Sequence, residues 1–461
     1  MKSRPAKHLY VCLALSLALI SSGGSVHADD QNANAWPTPR ALGRDIPTQR
    51  GGPSPEPSVN KSVASPASDQ VLTLLQALEW ALMNSPDLAA ASQGVLAAEG
   101  STRQAHAWTN PELEVEAAEF GGTGTRQGYD GAETSVRLTQ PIELGGKRVT
   151  RRRVAQAEAR LAGWDYEATR LDVLTQTKKA FVEVLLAQGQ VALAESLLAL
   201  AGDIQRAAAE RVKAGKVPLL EETKAGVEVA NARIVRDRAV RELDKARKHL
   251  AASWGETSPA FKEAGGDLET FRELPTAESL TALLDEAPEV ARWKEEVAKA
   301  RENVALEKAA RIPDVNVSAG ISRFEEDGSY AGTASLAFPL PLFDRNAGGL
   351  DAATRQVMRV EYEQRAARLA IMTELTEAHS QLESTRAEAQ AIKADLLPGA
   401  EQALAAAQIG YREGKHGHLE VLDAQRTVSE AKAHYLDVLA DYQKAVADVE
   451  RLTGTPFETI Q

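Results

Sequence analysis

The sequence predicts a mainly α-helical fold with a smaller β portion, written twice in tandem. Three observations carry this prediction. Apolar heptad stripes run through long windows free of proline, landmarks recur in the same order about two hundred residues apart, and four short segments alternate apolar with polar residues.

The chain opens with Lys2, Arg4 and Lys7, then an apolar run over 9–20, then small residues ending in Val26-His27-Ala28. A charged start, a short apolar run and a small-x-small exit predict an export leader, residues 1–28, cleaved after Ala28. The apolar run is too short to serve as a membrane anchor. The only cysteine, Cys12, lies inside that leader. The chain after the leader therefore has no thiol for a disulfide, a zinc–thiolate site, a nucleophile or a lipid anchor at the cleavage point. Beyond the leader no run approaches eighteen unbroken apolar residues, so no transmembrane helix is expected and membrane residence would require a barrel. The formal net charge of −12 argues against nucleic acid as a partner and fits cationic cargo or plain solubility.

Residues 29–70 are rich in Pro, Ser, Gly, Gln and Asn and read as an extended or disordered lead-in. Two similar repeats follow, 71–255 and 280–455, joined by a linker at 256–279 and followed by a short tail, 456–461. Asn84-Ser85-Pro86 answers Glu286-Ala287-Pro288, and 25 residues beyond each proline stand Pro111 and Pro313. Gln140-Pro141-Ile142 answers Phe338-Pro339-Leu340, and Ala214-Gly215-Lys216 answers Glu413-Gly414-Lys415. Forty residues past each of those turn glycines come Gly255 and Gly454. Matching separations in the same order mean duplication.

Each repeat predicts a helix (74–109; 280–311), two strands (112–120 and 133–140; 314–323 and 331–339), a very long helix, a Gly-Lys turn and a second long helix. In the last helix Val421, Ala424, Val428, Ala431, Tyr435, Val438, Tyr442, Ala445, Val449 and Leu452 step by three and four without a break. Val154, Ala157, Leu161, Trp164, Ala168 and Leu171 do the same in the first repeat. Residues 148–213 contain no proline, and at about 1.5 Å per residue such a helix reaches roughly 100 Å. That length is a structural span rather than an enzyme core.

The strands are two-faced. Leu113, Val115 and Ala117 alternate with Glu112, Glu114 and Glu116; Val136 and Leu138 alternate with Ser135, Arg137 and Thr139. Val315, Val317, Ala319 and Ile321 alternate with Asn316, Ser318 and Ser322, while Ala334, Leu336 and Phe338 alternate with Ser335 and Ala337. This pattern matches the wall of a transmembrane β-barrel, and equally a soluble hairpin with one buried face. The connecting loops, 121–132 and 325–332, carry Gly and Asp. Phe120, Tyr129, Phe324 and Tyr330 lie near the loops and Trp108, Phe338 and Phe343 at the opposite ends, as two interfacial aromatic levels would. Four strands cannot close a barrel that holds water. Either they pack on the helices, or three chains pool twelve.

Strand pairs set between long coiled helices, duplicated behind an export leader, resemble the TolC outer-membrane factor family over nearly all of 71–454. The motifs that carry the resemblance are Asn110-Pro111 before the first strand, the run 140–148 (Gln-Pro-Ile-Glu-Leu-Gly-Gly-Lys-Arg) after the second, and the glycine-containing helix turns. The run 140–148 is particularly similar to the heavy-metal branch, which exports cobalt, zinc, cadmium, nickel or copper and silver. The resemblance implies a homotrimer with a twelve-stranded barrel in the outer membrane and a periplasmic α-helical barrel. It also implies two partners, a periplasmic adaptor and an inner-membrane pump of the RND type.

The family topology further implies that the turns at 211–218 and 412–418 form the periplasmic tip. Glu420 and Asp423 match two acids that ring the family's entrance constriction, and Glu221 matches an acidic gate residue in the first repeat. Lys224 stands where Asp423 does in the second repeat. Arg211, Gly215, Lys216, Arg412, Gly414 and Lys415 are the expected adaptor-docking residues. The plainer alternative for the acids is that they complement the dipoles of helix starts. His416 and His418 flank a glycine, which is too few ligands for a fixed metal site, and few methionines remain to line a copper path. Lys147, Arg148, Arg151, Arg152 and Arg153 form a basic patch expected to meet anionic head groups or cap strand ends. No catalytic constellation, cofactor motif or phosphate loop is present in the sequence. The expected function is therefore an efflux channel; a soluble coiled-coil adaptor or a drug-exporting version of the channel are the alternatives.

Overall fold

The computed structural model describes residues 71–456 apart from Glu286 and Gly414. The expected leader, the lead-in at 29–70 and nearly all of the tail lie outside the described residues. All described residues belong to one compact unit.

The first repeat holds β1 (Val71–Thr73), α1 (Leu74–Asn84), α2 (Pro86–His106), β2 (Glu112–Ala118), β3 (Glu133–Ile142), α3 (Lys147–Lys213) and α4 (Leu219–Ala252). The linker contributes β4 (Glu263–Gly265) and the start of α5 (Ala277–Leu284). The second repeat continues with α6 (Pro288–Ala310), β5 (Val315–Phe324), β6 (Tyr330–Ala337), α7 (Ala347–Ala391), α8 (Leu397–Arg412) and α9 (His418–Thr453).

Each repeat's first helix, expected unbroken over 74–109 and 280–311, is two helices. Proline disfavours the helical conformation in the residue before it but suits the first turn of a new helix. Ser85 (ψ 124°) and Ala287 (ψ 139°) are accordingly extended, with Pro86 and Pro288 opening α2 and α6. The buried Ser85 hydroxyl accepts from the Leu88 N–H at 3.5 Å, capping α2. The second repeat's long helix is also interrupted. Pro398 lacks an N–H and crowds the preceding turn, and a π-helical turn, Ile392–Leu396, absorbs the misfit between α7 and α8.

The 67-residue α3 is the spine, packed along α2, α4, α6 and α9. The alanine-rich stripes meet these neighbours: Ala157 and Leu161 of α3 are buried, as are nine of the ten predicted α9 positions, Ala424 alone being half-buried. Among the described residues, α3 is long and apolar enough to cross a membrane by mean hydropathy, at 1.6 over an 18-residue window. Only 22% of that window is buried inside the chain, so most of its apolar surface is open in the single copy.

Buried cores gather around the middle of α3 and the last turns of α4 and α9. Parallel pairing of β1 with β4 holds the linker, with its own Phe261, over Phe181, Val184, Leu250 and Trp254, with Trp80 edge-on to Trp254 at 5.5 Å. Polar side chains satisfy the linker backbone. Gln188 bonds both the N–H and C=O of Ala264 (2.8 and 2.9 Å), Tyr442 accepts from the Arg272 N–H (3.0 Å), and Gln443 donates to the carbonyl of Leu268 (3.1 Å).

The other sheet is antiparallel in the order β2-β3-β5-β6. Directly opposed residues share a face, and the register sorts the chemistry. Leu113, Leu138, Ala319 and Ala334 form one row, with Val115, Val136 and Ile321 beside them. Glu112, Thr139, Ser318 and Ser335 form a row on the other face, next to Glu114 and Arg137. Polar groups on that face pair with each other: Arg137 meets Glu114 at 3.2 Å and Thr139 donates to Ser318 at 3.1 Å. Ser318 and Ser322 are buried there, whereas Leu113 (69 %) and Val115 (66 %) are open on the apolar face. A soluble hairpin would show the reverse. Gly320 permits the close approach of β5 to β3, since a Cβ would lie 2.7 Å from the Val136 carbonyl oxygen.

Candidate functional site

The site lies at the two helix turns farthest in sequence from the strands. At the first turn, α3 ends with Gly215 at φ +70°, a conformation that costs a residue with a Cβ. It lets the Gly215 N–H reach the Val212 carbonyl and the Lys216 N–H the Arg211 carbonyl, both at 2.9 Å. At the second turn, the N–H groups of Lys415 (2.8 Å) and His416 (3.2 Å) both return to the Gly410 carbonyl. The His416 ring packs onto Gly410 so closely that a Cβ there would overlap it. Gly414 lies outside the described residues.

Both following helices begin with acids, which suit the positive end of a helix dipole. Glu221 and Glu222 open α4, while Glu420 opens α9 and its carboxylate accepts the Gly417 N–H. The helix-start role therefore holds for Glu420.

A hollow of about 410 Å³ separates these helix starts, lined by Glu221, Lys224, Gly417, Leu419, Glu420 and Asp423. All three acids picked from sequence thus line one hollow, together with Lys224. Glu222 is absent from the lining; its charge acts on Lys213, whose ammonium is held above the ordinary lysine range chiefly by its hydrogen bond to Glu210 and less by Glu222. Asp423 similarly adds to the rise of Arg426, which comes mainly from Glu430 at 2.7 Å. Among the described residues no cluster of three or more His, Cys, Asp or Glu is arranged to hold a metal ion.

The expected docking residues divide. Arg211 stacks on Tyr411, 4.5 Å from its ring centroid, joining the two turns. Lys415 pairs with Glu413 at 2.6 Å. Lys216 and Arg412 are exposed, alongside exposed Leu219, Leu220 and Leu419. Sequence reasoning missed Tyr411, Gly410 and Leu419; an aromatic residue next to a turn arginine and a glycine six residues before His416 were the available signals.

At the strand–helix junction the basic patch also divides. Lys147 bonds Asp314 (2.8 Å) and Arg151 grips Glu143 (2.5 and 3.0 Å), tying strand ends to α3. Arg148 instead lies 4.0 Å over the exposed Trp108 ring.

The family described as "Outer membrane efflux protein" matches residues 77–256 and again 280–455, once per repeat. The chain is 35% identical over 448 residues to the cobalt-zinc-cadmium resistance protein CzcC of Cupriavidus metallidurans, covering 97% of this chain and 100% of that one. It is 24% identical over 480 residues to the cation efflux system protein CusC of Escherichia coli, covering 98% and 99%. A crystal structure of CusC superposes with a TM-score of 0.72 at 18% identity, over 83% of this chain and 92% of that one.

Proposed function

The chain belongs to the outer membrane efflux protein family, and on that premise we propose that three copies form the exit duct of a tripartite pump for divalent metal cations. The observation that carries the proposal is the four-stranded sheet with an open apolar face, a self-paired polar face and two strand edges without neighbours among the described residues. Exposed sheet edges are a liability that barrels remove by closing on themselves. Three such sheets make a twelve-stranded barrel, its apolar face in lipid and its polar face around water. The long helices then continue the duct into the periplasm. The divalent-metal class rests on kinship with a relative named for cobalt, zinc and cadmium resistance.

In the trimer, Glu221, Glu420 and Asp423 from three copies surround one axis at the periplasmic tip. Crowded carboxylates draw cations to the mouth and repel anions. Lys224 moderates that field. Around this gate, the turns containing Arg211, Gly215, Lys216, Arg412, Gly414 and Lys415 receive the periplasmic adaptor. Arg211 and Lys415 are engaged within the chain, so Lys216, Arg412 and the neighbouring leucines supply the contact. An RND-type inner-membrane pump completes the system.

The experiment is fractionation of cells producing the full chain, followed by chemical cross-linking of the purified outer membranes. Trimers in the outer membrane are expected. Monomers only, or recovery in the soluble periplasm, would overturn the proposal.

A further inference from the structure

The duplication makes one internal seam of the sheet a template for the seam between copies. Inside the chain, the end of β3 lies beside the start of β5, with Ile142 opposite Val315. Just beyond those strands Asp314 accepts from the Leu144 N–H (3.0 Å) and from Lys147 Nζ (2.8 Å). The ion pair locks the turn after the last strand of one repeat to the start of the first strand of the other.

The open edges are β2 and β6. Three successive antiparallel pairings leave these two strands running in opposite directions. When β6 of one copy pairs with β2 of the next, the end of β6 therefore lies beside the start of β2, as the end of β3 lies beside the start of β5. The repeat landmarks then identify the counterparts. Asp314 comes one residue after Pro313, and Glu112 one after Pro111. Lys147 comes six residues after Pro141, and Arg345 six after Pro339. Charge is conserved in sign at both positions. Within one copy Glu112 and Arg345 are exposed, and neither has an ion-pair partner among the described residues. Among the described residues the Arg345 guanidinium makes one hydrogen bond, from Nε to the Pro341 carbonyl at 3.3 Å, leaving its terminal nitrogens open.

We propose that Arg345 of one copy pairs with Glu112 of the next and closes each seam of the assembled barrel, as Lys147 pairs with Asp314 inside the chain. This inference rests on the trimeric reading given above. The bulky exposed side chains flanking these positions, Trp108 before β2 and Phe343 after β6, then meet across the same seam. The pair lies where the strands leave the membrane, so it also supplies register. Offset by one residue, the apolar rows of neighbouring copies would fall on opposite faces.

The test uses the full-length chain in outer membranes, with Glu112→Cys and Arg345→Cys singly and together; Cys12 of the expected leader is the only native cysteine. Oxidation of the double variant should give covalent dimers and trimers that neither single variant gives. Asp314→Cys with Lys147→Cys serves as the intramolecular control. Independently, Glu112→Arg and Arg345→Glu should each reduce the trimer surviving dilution in detergent on the order of tenfold, three rim pairs acting together. The double swap should restore it. Native mass spectrometry of every variant separates the outcomes. Intact trimers with neither cross-link nor rescue would overturn the seam while leaving the trimer standing, and would assign Arg345 to lipid phosphate or solvent. A wild-type chain that is monomeric would overturn both.

Discussion

Arg211, in the last turn of α3, lies with its guanidinium carbon 4.5 Å from the ring centroid of Tyr411, in the last turn of α8. The two residues belong to different repeats, and their stacking joins the two helix turns that flank the acidic hollow. A cation–π contact at an exposed site is worth about 0.5–1 kcal/mol, enough to bias a gate without holding it rigidly. Tyr411→Ala or Arg211→Ala should therefore raise the open fraction of the channel about two- to fivefold in planar-bilayer recordings. The trimer should be unaffected. Tyr411→Phe, which keeps the ring face, should behave as wild type; a loss of gating there would point to the hydroxyl instead.

The acids that line the hollow give a second prediction. In the proposed trimer, Glu221, Glu420 and Asp423 would repeat around the axis, and such crowded carboxylates would concentrate cations at the mouth. Glu420→Ala with Asp423→Ala should lower cation selectivity and weaken block by trivalent cations. Trimer stability should change by only about 1 kcal/mol or less, since exposed carboxylates contribute little beyond the Glu420 cap. Glu222→Ala is the matched control, because Glu222 belongs to the neighbourhood of Lys213 and not to the hollow. Equal effects from the control and the double variant would place the constriction elsewhere.

The long helix was legible because nothing interrupts it: the proline-free window begins within one residue of α3 and ends with it. The strands were legible because alternation survives in the register, and the position of Glu420 and Asp423 beside the second turn because both follow a glycine at a fixed offset. The splits at Pro86 and Pro288 were not, since the same proline that breaks one helix starts the next without disturbing the apolar pattern. The Arg211–Tyr411 stack and the contribution of Lys224 and Leu419 to the hollow join residues about two hundred positions apart. No local period encodes such contacts. The pairing of Gln188 with the Ala264 backbone is hidden for the same reason.

A third prediction concerns a buried pair on α3. Glu167 and Arg170 are both about 8% exposed and 3.2 Å apart, and Glu167 Oε1 has no hydrogen-bond partner among the described residues. Burial pushes the Glu167 carboxyl above its usual range, and Arg170 only partly opposes it. Removing one partner strands the other charge, so Arg170→Met alone should destabilise by about 3–5 kcal/mol. Glu167→Leu with Arg170→Met should be close to neutral. A carboxyl whose folded pKa exceeds its unfolded value binds protons more tightly when folded. Its contribution is thus greatest below the unfolded pKa of about 4 and declines as pH rises through the folded one. Thermal unfolding of wild type should show this decline relative to the double variant; parallel pH profiles would show that Glu167 titrates as a solvated acid.

The cargo claim is tested most directly by deleting the gene and measuring both growth and cell-associated metal under cobalt, zinc, cadmium and nickel challenge, with the wild-type chain restored as control. An exit duct for divalent cations predicts raised metal content and sensitivity to at least one of these ions, reversed by the wild-type chain, with tolerance of hydrophobic drugs unchanged. Normal metal tolerance and content together with new drug sensitivity would contradict it and make the chain a drug-exporting member of the same family.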